Sequence, residues 1–358
     1  MHLSISLLTL STLVTAVIGQ QTGNSTYKKR LTGEDLDTGH RWGVAGTDLG
    51  IPYVLENGAV GFLFGDTFST QWPDDGRDWR SPVMLRSAIH PGEPDGIVFD
   101  SAAGVAGDGL APEIAHNGHH GDDGFGTGTV EASVIPNDGI SFAETGQQIV
   151  SYMSIKEWTS PWVTNYAGLA VSTDGGNIFT RLDTAIWPNT PDNTDPFQMA
   201  TMQRDGDFVY VFSVRSGRQP GPMMLRRVRW DRITDPAAYE GWGWNGSDWG
   251  WGRPCSAILE GTFGEPSVRK LADGTWVMVY LDLEKRAIVS RTAEGPDRVW
   301  SDEVVQVTWD QELFLYGGFI HPWSTAKEGD LHLMVSKWER DAAGKTTAYH
   351  MSQYVGSL

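Results

Sequence analysis

One pattern recurs five times along this chain: a short strand-like run, a turn built on glycine, and a second, more strongly apolar run. The second runs are Val60–Phe64, Gln148–Met153, Phe208–Val214, Trp276–Leu281 and Leu331–Val335. Each is short and rich in β-branched or aromatic residues, the composition of a strand. The turns before them carry Glu56-Asn57-Gly58, Glu144-Thr145-Gly146, Arg204-Asp205-Gly206, Ala272-Asp273-Gly274 and Lys327-Glu328-Gly329. Glycine with Asn or Asp nearby supplies the positive φ that tight hairpins need. The first strands fall at about Thr47–Val54, Thr129–Ile135, Gln198–Gln203, Pro266–Leu271 and Phe319–Thr325. No stretch sustains a 3.6-residue apolar period, so an all-β chain is expected.

Five units over roughly 330 residues give about 66 each, enough for a four-stranded blade with loops. A five-bladed β-propeller is therefore expected, with a β-sandwich or jelly roll as the alternative. Ser172-Thr173-Asp174-Gly175-Gly176-Asn177-Ile178-Phe179 fits the Asp-box pattern S-x-D-x-G-x-x-F, a turn between outer blade strands in which the aspartate caps backbone N–H groups. Glycine-rich residues 104–128 read as an insertion between the first two units.

The chain opens with an apolar run from Leu3 to Ile18, diluted by Ser and Thr. It is shorter than the roughly 20 apolar residues of a membrane span, and residues 1–20 read as a secretory signal peptide. A secreted, extracellular chain without a membrane anchor is expected. Residues 21–40 are expected as an N-terminal tail whose Lys28-Lys29-Arg30 run offers a processing site, and 41–358 as one catalytic domain. Asn24 and Asn245 begin glycosylation sequons. Cys255 is the single cysteine, so no intramolecular disulfide staples the fold. It reads as a small buried hydrophobe rather than a nucleophile. A net charge of -18 argues against nucleic acid and polyanionic substrates. A neutral polysaccharide remains compatible, and the 16 Trp offer flat apolar faces to sugars, although β-structures also pack on them. A monomer is expected.

In a propeller, the innermost strands line a channel and meet at a pocket on one face. Polar residues near the five first strands are Asp48, Glu131, Gln198, Glu265 and His321. Convergent acids are what glycoside hydrolysis requires: one protonates the leaving oxygen, and one attacks or activates water. Crowding like charges raises the pKa of at least one of them. Asp66 ends the apolar run Gly61-Phe62-Leu63-Phe64-Gly65 and, taken alone, reads as a turn residue capping the next backbone segment more than as a catalytic one.

The stretch Asp48-Leu49-Gly50-Ile51-Pro52, then Leu63-Phe64-Gly65-Asp66-Thr67-Phe68, then Arg80-Ser81-Pro82-Val83-Met84-Leu85-Arg86-Ser87, resembles a family first catalogued as a domain of unknown function and now recognised as glycoside hydrolase family 183, the endo-D-arabinanases. Later elements of the pattern are Trp158, Gly264-Glu265-Pro266 and Gly317-Gly318-Phe319, so it spans nearly the whole mature chain. The resemblance implies a five-bladed propeller cleaving internal α-D-arabinofuranosyl bonds of arabinogalactan and lipoarabinomannan. It also implies catalytic roles for Asp48 and Asp66, 66 − 48 = 18 residues apart. Which is acid and which is nucleophile or base stays open.

Trp158, Asn165, Tyr166 and Trp323 are expected, with Glu131, Gln198, Glu265 and His321, to contact substrate. Trp162, Arg86 and Lys337 are weaker candidates. His116, His119, His120, Asp122 and Asp123 form a cluster that can hold metal, but its spacing matches no familiar tetrahedral set. No metal or cofactor is assigned, apart from a structural cation that the central channel can hold. Trp242, Trp244, Trp249 and Trp251 form either a sugar-stacking lip or a connection packed on the propeller edge. Two other readings compete: a propeller glycosidase for another furanoside or glycan, and a non-catalytic lectin. A lectin would repeat its site blade by blade, whereas these acids differ between units.

Overall fold

The computed structural model describes residues 22–72, 76–122 and 124–358; the expected signal peptide lies outside them. Five antiparallel sheets surround a central axis, forming a five-bladed β-propeller. From the axis outward, blade 1 is Gly46–Val54, Val60–Phe68, Val83–Ser87 and Ser101–Ala102. Blade 2 is Ser133–Phe142, Gln147–Glu157, Val163–Ser172 and Thr180–Pro188. Blade 3 begins with Met199–Asp205, Phe208–Val214 and Pro220–Arg229. It is extended by the hairpin Glu240–Trp244 and Trp249–Trp251, and Leu259–Thr262 pairs with the other half of its third strand. Blade 4 is Ser267–Lys270, Trp276–Asp282, Ala287–Ala293 and Val304–Thr308. Blade 5 is Leu315–Ile320, Leu331–Arg340, Thr346–Gly356 and, outermost, Thr26–Arg30.

The second strands are rich in apolar residues because each blade is covered on both faces. Along Phe208–Val214, Val209 and Val211 pack with Ile140 and Ile149 of blade 2. Tyr210 and Phe212 point the other way, their rings 5.5 and 6.4 Å from that of Trp276 in blade 4. A two-residue period with both sides buried requires no polar face.

Three expectations shift. The segment expected as a tail carries a blade strand: Thr26 pairs with Val355 and Arg30 with Ser352. The amides of Asn24 and Ser25 also donate to the carbonyls of Val305 and Gln306 in blade 4. The inner strand of blade 2 starts at Ser133, four residues later than expected. That of blade 5 is Leu315–Ile320, earlier than the expected Phe319–Thr325. Gly317 and Gly318 lie within this strand. A Cβ on Gly318 would stand 2.6 Å from Ile288 Cγ2, so blade 4 approaches too closely for any side chain there.

The Asp box behaves as expected: Asp174 Oδ1 accepts from the amides of Asn177 and Ile178 at 3.0 and 3.2 Å, between the third and fourth strands of blade 2. Arg86 is spent on this turn, donating to the Gly175 carbonyl and Asn177 Oδ1. The tryptophan-rich hairpin packs on blade 3, Trp251 lying against Tyr210 and under Arg227. Cys255 is half-buried and has no disulfide partner. Asn24 and Asn245 are exposed. Among the described residues, no helix is long and apolar enough to cross a membrane.

The channel is crossed by one ion pair. Arg269, from the inner strand of blade 4, donates to both oxygens of Asp138 in blade 2 at 2.7 and 2.9 Å, and to the Pro52 carbonyl of blade 1 at 2.7 Å. Asp138 also accepts from the Thr201 hydroxyl and the Met202 amide of blade 3. Arg269 thus places a positive charge among the inner strands of four blades. Replacing Arg269 by Met leaves Asp138 buried without its counter-ion. The expected loss is ~3–5 kcal/mol of unfolding free energy, measured by chemical denaturation.

Candidate active site

Asp48 and Asp66 meet because of a fault in the blade 1 hairpin. Thr47 pairs with Thr67, but the next pair is Leu49 with Phe64, and the one after is Ile51 with Leu63. Gly65 and Asp66 therefore stand opposite Asp48 alone, and Gly50 compensates on the other strand. Leu49 (φ 64°) and Gly50 (φ 63°) both adopt left-handed backbone. For a leucine this costs on the order of 1 kcal/mol, and its amide is anchored by the Ser336 hydroxyl at 2.9 Å. A Cβ on Gly65 would lie 2.5 Å from Asp48 Oδ1, so glycine there is what lets the two carboxylates share one space.

The two acids have different surroundings. Asp48 Oδ2 accepts the Tyr316 hydroxyl at 2.7 Å, while its Oδ1 is buried with no hydrogen-bond partner among the described residues. Burial, and then the charge of Asp66, push its pKa up to about 7 against the hydroxyls of Tyr316 and Tyr349. Asp66 Oδ1 accepts the Trp79 indole N–H at 2.8 Å and the Ser133 hydroxyl at 3.2 Å. Burial again raises the carboxyl, to about 6, and those two donors restrain it. The pair can thus hold one proton between its members near neutral pH, with Asp48 the more basic.

Around them lies a half-ring of aromatic and charged groups. Arg218 makes a two-pronged bond to Glu265 at 2.8 and 3.1 Å, its guanidinium lying over the rings of Trp162 and Tyr316 at 4.9 and 5.0 Å. Tyr316 and Arg218 also line a cavity of about 380 Å3 walled by Trp309, Phe314 and Trp338. Trp158 stands at the rim, 48% exposed and edge-on to Trp162.

Of the residues expected to touch substrate, Glu265 and Trp158 fall near the aspartates. Glu131 does not offer a free oxygen: Oε1 accepts from the Gly118 amide and Arg181, and Oε2 from Ser154 and Arg181. Tyr166 accepts from the same Arg181, and Asn165 donates to the Val130 carbonyl and the Ser154 hydroxyl. Gln198 is fully buried, its amide shared between Thr164, Asp195 and the Trp187 carbonyl. These four hold blades 2 and 3 in shape. His321 follows the end of the blade 5 inner strand instead of opening it, so it lies at the opposite face, buried against Phe62. Trp323 stays with it and stacks on His90. The weaker candidate Lys337 is engaged by Glu312 and Glu339. Sequence reasoning missed Tyr316, Arg218, Trp79 and Ser133. Tyr316 was legible in principle, as the second residue of the fifth inner strand, once Gly318 is read as a close approach within it.

Both aspartates have pKa values raised on folding from 3.8, so the folded state binds more protons than the unfolded one between about pH 4 and 7. Their contribution to stability is complete below about pH 4 and is lost as pH rises through about 7. Asp48→Asn and Asp66→Asn are therefore expected to be more stable than the parent at pH 8, and near parity at pH 4, in parallel thermal melts. Gly65→Ala is expected to displace Asp48 while preserving the far-UV spectrum.

Residues 34–354 match the family described as "Domain of unknown function (DUF4185)". Notoamide biosynthesis cluster protein J of Aspergillus sp. (strain MF297-2) is 59% identical over 360 residues, covering 99% of this chain and 97% of that protein. Notoamide biosynthesis cluster protein J' of Aspergillus versicolor is 60% identical over 352 residues, covering 97% and 96%. Among solved structures, the alpha-L-arabinofuranosidase PaAbf62A from Podospora anserina, in complex with cellotriose, superposes with a TM-score of 0.51 at 13% identity, over 94% of this chain and 98% of that one. At that identity the likeness is one of fold.

Proposed function

We propose that this chain, which belongs to the DUF4185 family, is a secreted glycoside hydrolase that cleaves internal α-D-arabinofuranosyl linkages of D-arabinan. The observation that carries the hydrolase reading is the carboxylate pair in one aromatic-rimmed site, with unlike environments that separate their proton affinities. Asp48, raised further and hydrogen-bonded by Tyr316, is the general acid that protonates the leaving oxygen. Asp66, held by Trp79 and Ser133, is the carboxylate that attacks the anomeric carbon or takes the proton of water. Trp158 and Trp162 present ring faces and edges to sugar, and Glu265 acts through Arg218 to keep the guanidinium beside Tyr316. The arabinan preference rests on the motif around the two aspartates.

The reading is tested by incubating the protein with arabinogalactan and lipoarabinomannan and analysing released arabino-oligosaccharides. Asp48→Asn and Asp66→Asn are each expected to lower turnover by at least a hundredfold, in line with the loss of a general acid or base. Absence of release from both polymers overturns the substrate. Activity requires Asp66 ionised and Asp48 protonated, so the rate is expected to fall below about pH 6 and above about pH 7. Removing the Tyr316 hydroxyl takes away a bond that lowers the Asp48 pKa. Tyr316→Phe should therefore move the alkaline limb to higher pH, a shift read directly in the pH–rate profile.

The names of the two Aspergillus relatives favour a second reading, in which the same site serves a compound of a biosynthesis cluster rather than a wall polymer. The cavity beside Tyr316, with its tryptophan and phenylalanine walls, accommodates an apolar aglycone. Hydrolysis of aryl or indolyl glycosides with none of arabinan favours this reading.

A further inference from the structure

We propose that Glu113, His119 and His120 form a binding site for a divalent cation of the zinc class, on the loop packed behind Asp66. One ligand atom from each converges within 4.8 Å of the others. His119 Nε2 lies 3.4 Å from Glu113 Oε1, and His120 Nε2 lies 2.8 Å from Glu113 Oε2. Ligand atoms at about 2.0–2.1 Å around a tetrahedral ion stand about 3.3 Å apart, so a small opening of the cluster admits one.

A second observation points to a ligand. The His119 side chain is only 7% exposed, and neither ring nitrogen has a hydrogen-bond partner among the described residues. A buried polar group left in that state is costly, and a cation on Nε2 satisfies it. Glu–His hydrogen bonding alone accounts for His120 but not for His119. The His119 ring is also held in one direction, stacked on Trp79 at 4.1 Å with the planes 11° apart. Glu113 is oriented in turn by the Ser81 amide at 3.0 Å, the kind of outer contact that fixes a metal-binding carboxylate.

The donor set selects the metal. Two imidazoles and one carboxylate suit zinc and its transition-metal neighbours, whereas calcium takes six or more oxygens. His120 is 55% exposed, which leaves an entry path and room for water as a fourth ligand. An ion here would pin the loop through His119 to Trp79, the indole that donates to Asp66. It is a positioning site, one layer removed from the carboxylates, and it does not depend on which glycoside they cleave.

The full-length mature chain, stripped with a chelator and dialysed, is titrated with Zn2+ in a calorimeter. One ion per chain is expected. His119→Ala and Glu113→Gln are each expected to weaken binding at least tenfold, whereas His90→Ala, beside Trp323, leaves it unchanged. Titration of the unaltered chain with Co2+ is expected to produce the visible bands of a four-coordinate ion, a readout that needs no variant to fold. No saturable Zn2+ binding, no such bands, equal affinity for Ca2+, or binding that survives both ligand substitutions overturns the site.

Discussion

Arg269 and Asp138 reach across the axis of the ring, and the other inner strands are arranged around that contact. Two opposite charges in a channel from which water is largely excluded must be matched closely, because an error leaves a bare ion in a low dielectric. Here the match is complete: every oxygen of Asp138 is occupied, and the guanidinium also takes a carbonyl from blade 1. Four of five blades are thereby registered to one another at a single point. The pair contributes geometric specificity more than net stability, since the desolvation of both ions offsets much of their attraction. It also ties the inner strands of those four blades together at one level of the channel.

The face that holds the carboxylates is built at the expense of stability. Blade 1 interrupts its own ladder to bring Asp66 level with Asp48, holds a leucine in left-handed backbone, and leaves one carboxylate oxygen without a partner. A sheet without the two bulges would hold together better and would present neither acid in this way. Bulges occur in blades 2, 4 and 5 as well. Only in the blade 1 hairpin do the displaced pairs bring two buried carboxylates together among the described residues, the pattern expected where local structure has been shaped by chemistry.

The second strand of every unit was legible, because burial on both faces makes it a mostly apolar run rich in β-branched and aromatic residues. The Asp box was legible because its hydrogen bonds are local. The aspartates were legible only together: a hairpin centred on Asn57 sets residues 48 and 66 opposite each other, which the 18-residue spacing encodes. What escaped was non-local. Glu131 looks like a site acid until Arg181, 50 residues away, is seen to take both its oxygens. His321 was misplaced because the inner strand of blade 5 begins at Leu315, before the glycine pair, and the smallness of Gly318 answers to Ile288 in the neighbouring blade, a contact no local pattern reports. Trp79 and Arg218 reach the site from loops, whose positions no periodicity reports.

The pairing of Thr26–Arg30 with Thr346–Gly356 has a consequence for how the chain comes into being. The first blade strand to leave the ribosome is the last to find its neighbour, some 320 residues later. Until then the fifth sheet has no outer edge and the ring has no clasp, so blades made in sequence assemble as an open arc. Closure of so long a loop adds little entropy per added residue, but it cannot begin before Thr346–Gly356 has been made. The nascent protein therefore carries an unpaired, basic strand until residues 346–356 emerge. Its Lys28, Lys29 and Arg30 side chains, charged and solvated, are the kind that keep such an edge from pairing with another chain.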